Sequence, residues 1–205
     1  MLSSGTAAQR LAAVSYLGSL RSEAGYSALA ARFRSEPEAY VRVQIVKALD
    51  VMLSTSAYAC ALAAADDPRK AVRQAAASAL AARNGEPAAD AKLRALAADP
   101  SEAVRMALVP PLSVENSTSA ASLIGAVLSE TKGTGRARRF AAGALSRMKT
   151  PSADAELAKH TADQDPEIRA AAVARSTAAP AGLSKPLKPA VKKGTGAKAA
   201  RKVQR

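Results

Sequence analysis

Apolar side chains recur along this chain at the spacing of amphipathic helices, and the arrangement returns about every 32 residues. Two kinds of stretch alternate, with a short polar turn between them. The first kind carries its apolar face at Val41, Ile45, Ala48, Leu49 and Met52. The second kind carries it at Tyr26, Leu29, Ala30 and Phe33, and again at Tyr58, Ala61, Leu62 and Ala65. Helical spacing in both kinds predicts a series of two-helix units.

An arginine marks the same place in every unit. The segments aligned on it are EPEAYVRVQIVKAL from Glu36, DPRKAVRQAAASAL from Asp67, DPSEAVRMALVPPL from Asp99, DPEIRAAAVA from Asp165 and, without the proline, GRARRFAAGAL from Gly135. The arginines are Arg10, Arg42, Arg73, Arg105, Arg138 and Arg169, at steps of 31 to 33 residues. A leucine follows seven residues later in the first five units, whereas the sixth unit has Ser176.

Units of this length cannot bury both helices alone, so they are expected to stack into an α-solenoid. The prediction is an all-α superhelix of about five to six two-helix repeats over residues 1–179, with the repeats themselves starting near residue 6. Each first helix is expected to begin at an Asp-Pro, with the acid as cap and the proline at the first helical position. Residues 180–205 are rich in Ala, Lys and Pro and predict a flexible basic tail.

Asp-Pro followed by Val-Arg, with Ala and Leu at helical spacing, resembles the HEAT-like repeat of the phycobilisome-lyase type. The resemblance implies an α-solenoid that serves as a binding scaffold. Three departures stand out. Pro110-Pro111 should kink or shorten the first helix of the fourth unit, Gly133-Thr134-Gly135 replaces the Asp-Pro of the fifth, and the last unit lacks a convincing second helix.

Composition narrows the classes of function. The chain has 205 residues and a net charge of +13, with 48% hydrophobic residues but only 3% aromatic ones. Eight Lys or Arg residues and no acid lie between Ser176 and Arg205. Such charge favours an acidic partner, which could be nucleic acid, an anionic membrane surface or an acidic protein face. No apolar run is long enough to span a membrane.

The arginines allow two interpretations. They could form a phosphate track along one edge, or they could tie each unit to its neighbour through Asp67, Asp99 and Asp165. We favour the structural ladder. Arginines without a nearby acid are better candidates for external contacts. The candidate anion or nucleic-acid contacts are Lys132, Arg136, Arg138, Arg139, Lys192, Lys193, Lys198, Arg201, Lys202 and Arg205.

The motif KGTGRARR from Lys132 could suggest a phosphate loop, but it lacks the GxxxxGK[ST] pattern. Its position between units favours an ordinary turn.

His160 is the only histidine and Cys60 the only cysteine, which excludes a disulfide within the chain and a zinc site built from Cys and His alone. The repeat places His160 at an inward position of a second helix, where a structural role is expected.

No nucleophile–base set, metal-ligand spacing or dinucleotide motif is present in the sequence. The leading hypothesis is therefore a non-enzymatic scaffold without a cofactor, which binds a protein partner through its solenoid surface. The alternative is a nucleic-acid-associated protein that uses the basic tail and the cluster from Arg136 to Arg139. The single, apolar-flanked cysteine favours the cytoplasm. Residues 1–35, with four arginines and one acid, also resemble an organelle transit peptide.

Overall fold

The chain is helical throughout the part that the structure describes. The computed structural model describes residues 2, 4–50 and 54–178, and these contain eleven α-helices and no strand. The helices are α1 (Ala7–Ser19), α2 (Glu23–Ser35), α3 (Ala39–Asp50), α4 (Thr55–Ala64), α5 (Lys70–Ala81), α6 (Pro87–Ala97), α7 (Glu102–Glu115), α8 (Thr118–Ser129), α9 (Arg136–Arg147), α10 (Pro151–Ala158) and α11 (Pro166–Ala178). The predicted tail at 180–205 and its candidate contact residues lie outside the described residues, as does Met52.

The helices form two layers. Odd-numbered helices contact one another in chain order from α1 to α11, and even-numbered helices do the same from α2 to α10. Each odd helix also packs on the even helix that follows it, and the core lies between the layers. The predicted all-α solenoid is confirmed, with five complete two-helix units and the first helix of a sixth.

Alanine-rich packing explains how a chain with few aromatic residues builds this core. Among the fully buried side chains are Ile45, Leu80, Leu108 and Leu145, each on an odd helix. Between them lie many buried alanines, whose small side chains allow neighbouring helices to approach closely. The core is therefore continuous from unit to unit instead of being divided into separate clusters.

Local signals set where the second helices begin. Ser22, Ser54, Ser117 and Thr150 each accept a hydrogen bond from the backbone N–H three residues later, at the start of α2, α4, α8 and α10. Such a cap stabilises a helix by about 1 kcal/mol. The first helix, α1, begins with a capping box between Thr6 and Gln9.

The Asp-Pro turns differ from the prediction at two of three places. Helices α5 and α7 begin two residues after Pro68 and Pro100, at Lys70 and Glu102, so only α11 of these three starts on its proline. Asp67 and Asp99 do not cap their helices. Their carboxylates accept the backbone N–H two residues later, at 2.9 and 2.7 Å, and so close the turn ahead of the helix.

The Pro110-Pro111 pair does not shorten its helix, and the prediction was wrong on that point. Helix α7 continues through both prolines and, with 14 residues, is the longest described. Pro110 is exposed, whereas the adjacent Val109 and Leu112 are buried against the neighbouring helices. Packing of this apolar face thus outweighs the two missing backbone hydrogen bonds.

Candidate interaction surface

Ion pairs connect consecutive units along one edge of the solenoid. In each pair, the repeat arginine of one unit contacts a carboxylate on the turn that opens the next unit. The shortest N–O distances are 2.8 Å for Arg10–Glu36, 2.6 Å for Arg42–Asp67, 2.6 Å for Arg73–Asp99 and 2.5 Å for Arg138–Asp163. The Arg10 and Arg73 pairs are bidentate. Arg42 and Asp67 meet as an ion pair outside hydrogen-bond alignment.

Most of the repeat arginines also hold the turn of their own unit. Nη1 of Arg73 donates to the carbonyl oxygen of Asp67 at 2.9 Å, six residues earlier. Arg105 and Arg169 make the equivalent bond at 2.5 Å, and Arg42 makes it at 3.4 Å. A guanidinium that clamps two turns has few donors left for a phosphate. The ladder geometry is therefore that of a tie between units.

Arg105 departs from this scheme. It is completely buried and lies within 4 Å of no carboxylate, although every Asp and Glu of the chain is among the described residues. Its donors go to the backbone carbonyls of Asp99 and Lys132. The acid at this junction is Glu130, whose pKa is lowered by a hydrogen bond from the Lys132 N–H and by the nearby positive charges.

At the last junction the acid that pairs with the repeat arginine is Asp163, two residues before the Asp165 that the sequence alignment selects. The Asp163 carboxylate pairs with Arg138 and accepts a hydrogen bond from the backbone N–H of Asp165. Its carbonyl oxygen accepts a hydrogen bond from Arg169. Asp165 has a different role, because it accepts the N–H groups of Glu167 and Ile168 at the start of α11. The repeat arginine is therefore tied to the last unit by Asp163, whereas Asp165 pairs with the neighbouring Arg139.

The cluster from Arg136 to Arg139 does have counter-acids, contrary to the sequence-based expectation. Arg138 pairs with Asp163, and Arg139 lies 3.1 Å from Asp165. Arg136 and Lys132 remain exposed, with Lys132 Nζ 3.6 Å from Glu130. Most of the charge of this cluster is thus neutralised by the next turn, which weakens it as a phosphate site.

Gly133-Thr134-Gly135 forms the turn between α8 and α9, and an internal carboxylate already occupies the anion position there. Gly135 is the N-cap of α9 at φ 82°, a conformation that favours glycine. Glu102 accepts hydrogen bonds from the Ala137 N–H at 3.0 Å and the Thr134 hydroxyl at 2.7 Å. Burial alone would raise the pKa of Glu102, but these hydrogen bonds lower it. A phosphate would have to displace this carboxylate.

His160 lies in the turn after α10 and not on the helix as expected. Its side chain is 12% exposed, and its Nδ1 lies 3.0 Å from Asp163. Its Nε2 lies 3.5 Å from the Ser129 hydroxyl. Asp163 therefore contacts both His160 and Arg138, which places the histidine within the tie between the last two units.

Ser129, His160 and Asp163 follow the order of a catalytic triad, but their surroundings give the serine no activation. Ser129 is the last residue of α8, where the negative end of the helix dipole opposes an alkoxide. Arg138 binds the same Asp163 oxygen as His160 does and withdraws its charge. Within the described residues, no group of three or more His, Cys, Asp or Glu could hold a metal.

Shallow grooves separate neighbouring even-numbered helices. The groove between α6 and α8 has a volume of about 550 Å³, and its lining consists of Arg94, Thr118, Ser119, Ser122, Leu123 and Ala126. A groove of about 310 Å³ between α2 and α4 has a similar lining of Ser, Thr and Ala, with Arg34. Arg34 and Arg94 are exposed, and none of the chain's carboxylates lies within 4 Å of either. These grooves thus offer small side chains and a cation.

Comparison with known proteins agrees with this architecture over part of the chain. Residues 26–113 match HEAT repeats. The matched part extends from α2 into α7. Among solved structures, the chain is similar to human deoxyhypusine hydroxylase in complex with glycerol, at 14% identity and a TM-score of 0.36, covering 84% of this chain and 90% of that one. This distant likeness carries no argument about activity. No curated protein matches the sequence.

Neither of two further features adds a site. Burial raises the pKa of the Cys60 thiol to about 12, so it is a protonated and unreactive core residue. No described helix combines the length and apolar character that crossing a bilayer requires.

Proposed function

We propose that this protein is a non-enzymatic scaffold that binds a protein partner through the layer of even-numbered helices. The observation that supports this most strongly is the groove between α6 and α8. It is about 550 Å³ in volume, is bordered by Ser and Thr hydroxyls, and carries an arginine without an internal counter-charge. Small side chains let a partner backbone approach closely, and stacked repeats form extended binding surfaces of this kind.

The charge of the grooves specifies the partner further. Arg94 and Arg34 would each favour a carboxylate on the bound segment, since an arginine fork binds a carboxylate through two hydrogen bonds. The partner segment is therefore acidic, with small side chains where it meets the groove floor. In the odd-numbered layer, by contrast, four of the repeat arginines are already paired with the next unit.

Purification of partners from a native extract tests this proposal. The full chain serves as bait, and Arg94→Glu is compared with Lys47→Glu, which makes the same charge change in a groove of the opposite layer. We expect a partner that is retained by the unaltered chain and by Lys47→Glu, and lost with Arg94→Glu. Equal retention by both variants would refute the role of the α6–α8 groove.

The second candidate function is association with nucleic acid through residues 180–205, together with exposed Lys132 and Arg136. It is supported by the eight cations and no acids between Ser176 and Arg205. Affinity for a single-stranded DNA oligomer, measured against salt for the full chain and for a version ending at Ala179, tests it. Strong binding that truncation abolishes, with a steep fall at high salt, would favour this function. Negligible binding by both versions would remove it.

Two finer assignments are part of this proposal. We assign the repeats to the phycobilisome-lyase type on the Val-Arg residues of the second to fourth units and the acid-proline pair before them, which is Glu-Pro in the second unit and Asp-Pro in the third and fourth. We place the protein in the cytoplasm, because a single buried cysteine suits a reducing compartment. The division into a solenoid at 1–179 and a tail at 180–205 likewise remains a prediction.

A further inference from the structure

We infer that the outer face of α11, the last described helix, is a docking face for a helical hairpin from another protein that presents a carboxylate on its loop. The face is defined here by Arg169 and Val173. This surface is separate from the grooves of the even-numbered layer. The inference therefore does not depend on the proposed function.

The repeat itself shows what is missing at this face. Arg10, Arg42, Arg73 and Arg138 each contact a carboxylate of the following unit. Arg169 holds the carbonyl oxygens of its own turn, as Arg42 and Arg73 do, but no Asp or Glu side chain lies within 4 Å of it. All 17 acidic residues of the sequence lie in the described part, and none of them occupies this position.

An apolar residue on the same face gives independent support. Four residues after the repeat arginine, on the same side of the helix, each earlier unit has a side chain with an exposed fraction of 2% or less. These side chains are Val14, Val46, Ala77, Val109 and Ala142. The sixth equivalent, Val173, is 43% exposed. A position that every other junction buries is therefore uncovered at this face.

The chemistry of the occupant follows from the four junctions at which the repeat arginine contacts a carboxylate. It needs an Asp or Glu on a loop before a helix, and small apolar side chains on that helix to cover Val173. Residues 179–205 contain no Asp or Glu and cannot supply the carboxylate. In the second unit the acid is Glu36, six residues before the repeat arginine Arg42. The residue at the same position of the first unit is Ser4, so a second copy stacked head to tail cannot supply the carboxylate either. An acidic loop on a partner protein has the charge that these two segments lack.

A labelled peptide of residues 148–178 provides a probe with the required chemistry. It contains a second helix, the loop with Asp163, and a first helix, which are the elements that would continue the solenoid. Fluorescence anisotropy would measure its binding to the full chain. The matched variants are Arg169→Gln at the docking face and Arg136→Gln at the exposed start of α9, which lose the same charge. The peptide control is Asp163→Asn.

We expect the peptide to bind the unaltered chain and to gain helical circular dichroism on binding. Arg169→Gln and the Asp163→Asn peptide should each weaken binding at least tenfold, whereas Arg136→Gln should change it less than twofold. Val173→Glu should weaken binding similarly, and because Val173 is 43% exposed the change should leave the fold intact. This second variant keeps the inference testable if Arg169→Gln disturbs α11. Arg94→Glu should leave peptide binding unchanged and so separates this face from the groove.

Absence of binding would overturn the inference. An equal loss of peptide affinity with Arg169→Gln and Arg136→Gln would also overturn it. Such a result would mean that the peptide is attracted by the overall positive charge and not by a site at Arg169.

Discussion

Replacing Glu36 by glutamine should loosen the first unit from the second. The Glu36 side chain is fully buried and accepts hydrogen bonds at 2.8 Å from both Arg10 and Arg32, and one at 3.0 Å from the Glu38 N–H. Glutamine keeps the shape of the side chain but removes its charge. The two arginines would then face each other, partly buried, without an anion between them.

The magnitude follows from the pKa of this carboxyl group. Burial acts to raise the pKa of Glu36, but the hydrogen bonds from Arg10, from the Glu38 N–H and from Arg32 outweigh it and lower the pKa from 4.5 to about 2. A shift of this size corresponds to about 3 kcal/mol when fully expressed. Because solvent reaches Arg10 and Arg32 and screens the pairs, we expect a loss of about 1–2 kcal/mol in the free energy of unfolding.

Chemical denaturation followed by circular dichroism would measure this loss, with Glu38→Gln as an exposed control that should cost less than about 0.5 kcal/mol. Hydrogen exchange should show faster opening of α1 and α2 than of α8, because contacts in a solenoid are between neighbours. Since the pKa is lower in the folded state, the stabilisation by Glu36 is complete above pH 4.5 and is lost as the pH falls towards 2. Equal stability of the Glu36→Gln and Glu38→Gln variants at pH 7 would refute this reasoning.

Two further predictions concern single positions. Gly135→Ala should destabilise the protein by about 1 kcal/mol in thermal unfolding, because φ is 82° while the added Cβ meets nothing closer than 3.9 Å. Gly143→Ala within α9 should instead stabilise it by about 0.5–1 kcal/mol, and the same sign for both would contradict the assignment of strain to Gly135. The Cys60 thiol should not react with a thiol reagent at pH 8 until denaturant is added. Burial raises its pKa to about 12, so the reactive thiolate is scarce in the folded protein. Prompt modification of the native protein would show that the thiol is accessible.

The sequence was sufficient to predict the helices and their stacking, because one arginine and one apolar face recur at a fixed interval. Val41, Ile45 and Leu49 are buried as their spacing predicts. The residues at which helices begin were harder to predict from the sequence. The position of Pro68 ahead of α5 depends on where the Asp67 carboxylate binds, and that binding involves Arg42 of the preceding unit.

Partners across a junction could not be assigned from motif alignment. Asp165 matches the Asp-Pro motif, yet Asp163 binds Arg138. The loop before α11 places the earlier aspartate opposite the arginine, and a linear alignment carries no information about that loop path. The same limit explains why Arg138 and Arg139 seemed to lack acids, since their counter-charges come from residues 25 and 26 positions later.

The distribution of free charge separates the two modes of binding that this chain can support. Within the solenoid, most repeat arginines are neutralised by the next turn, whereas Arg34, Arg94 and Arg169 are among the cations without an internal carboxylate. Each of these lies beside small or apolar side chains, where binding depends on a close fit. The cations between Ser176 and Arg205 are numerous and have no acids among them. Contacts through the solenoid should therefore persist at higher salt than contacts through the last thirty residues, because screening removes long-range attraction before it removes a fitted ion pair.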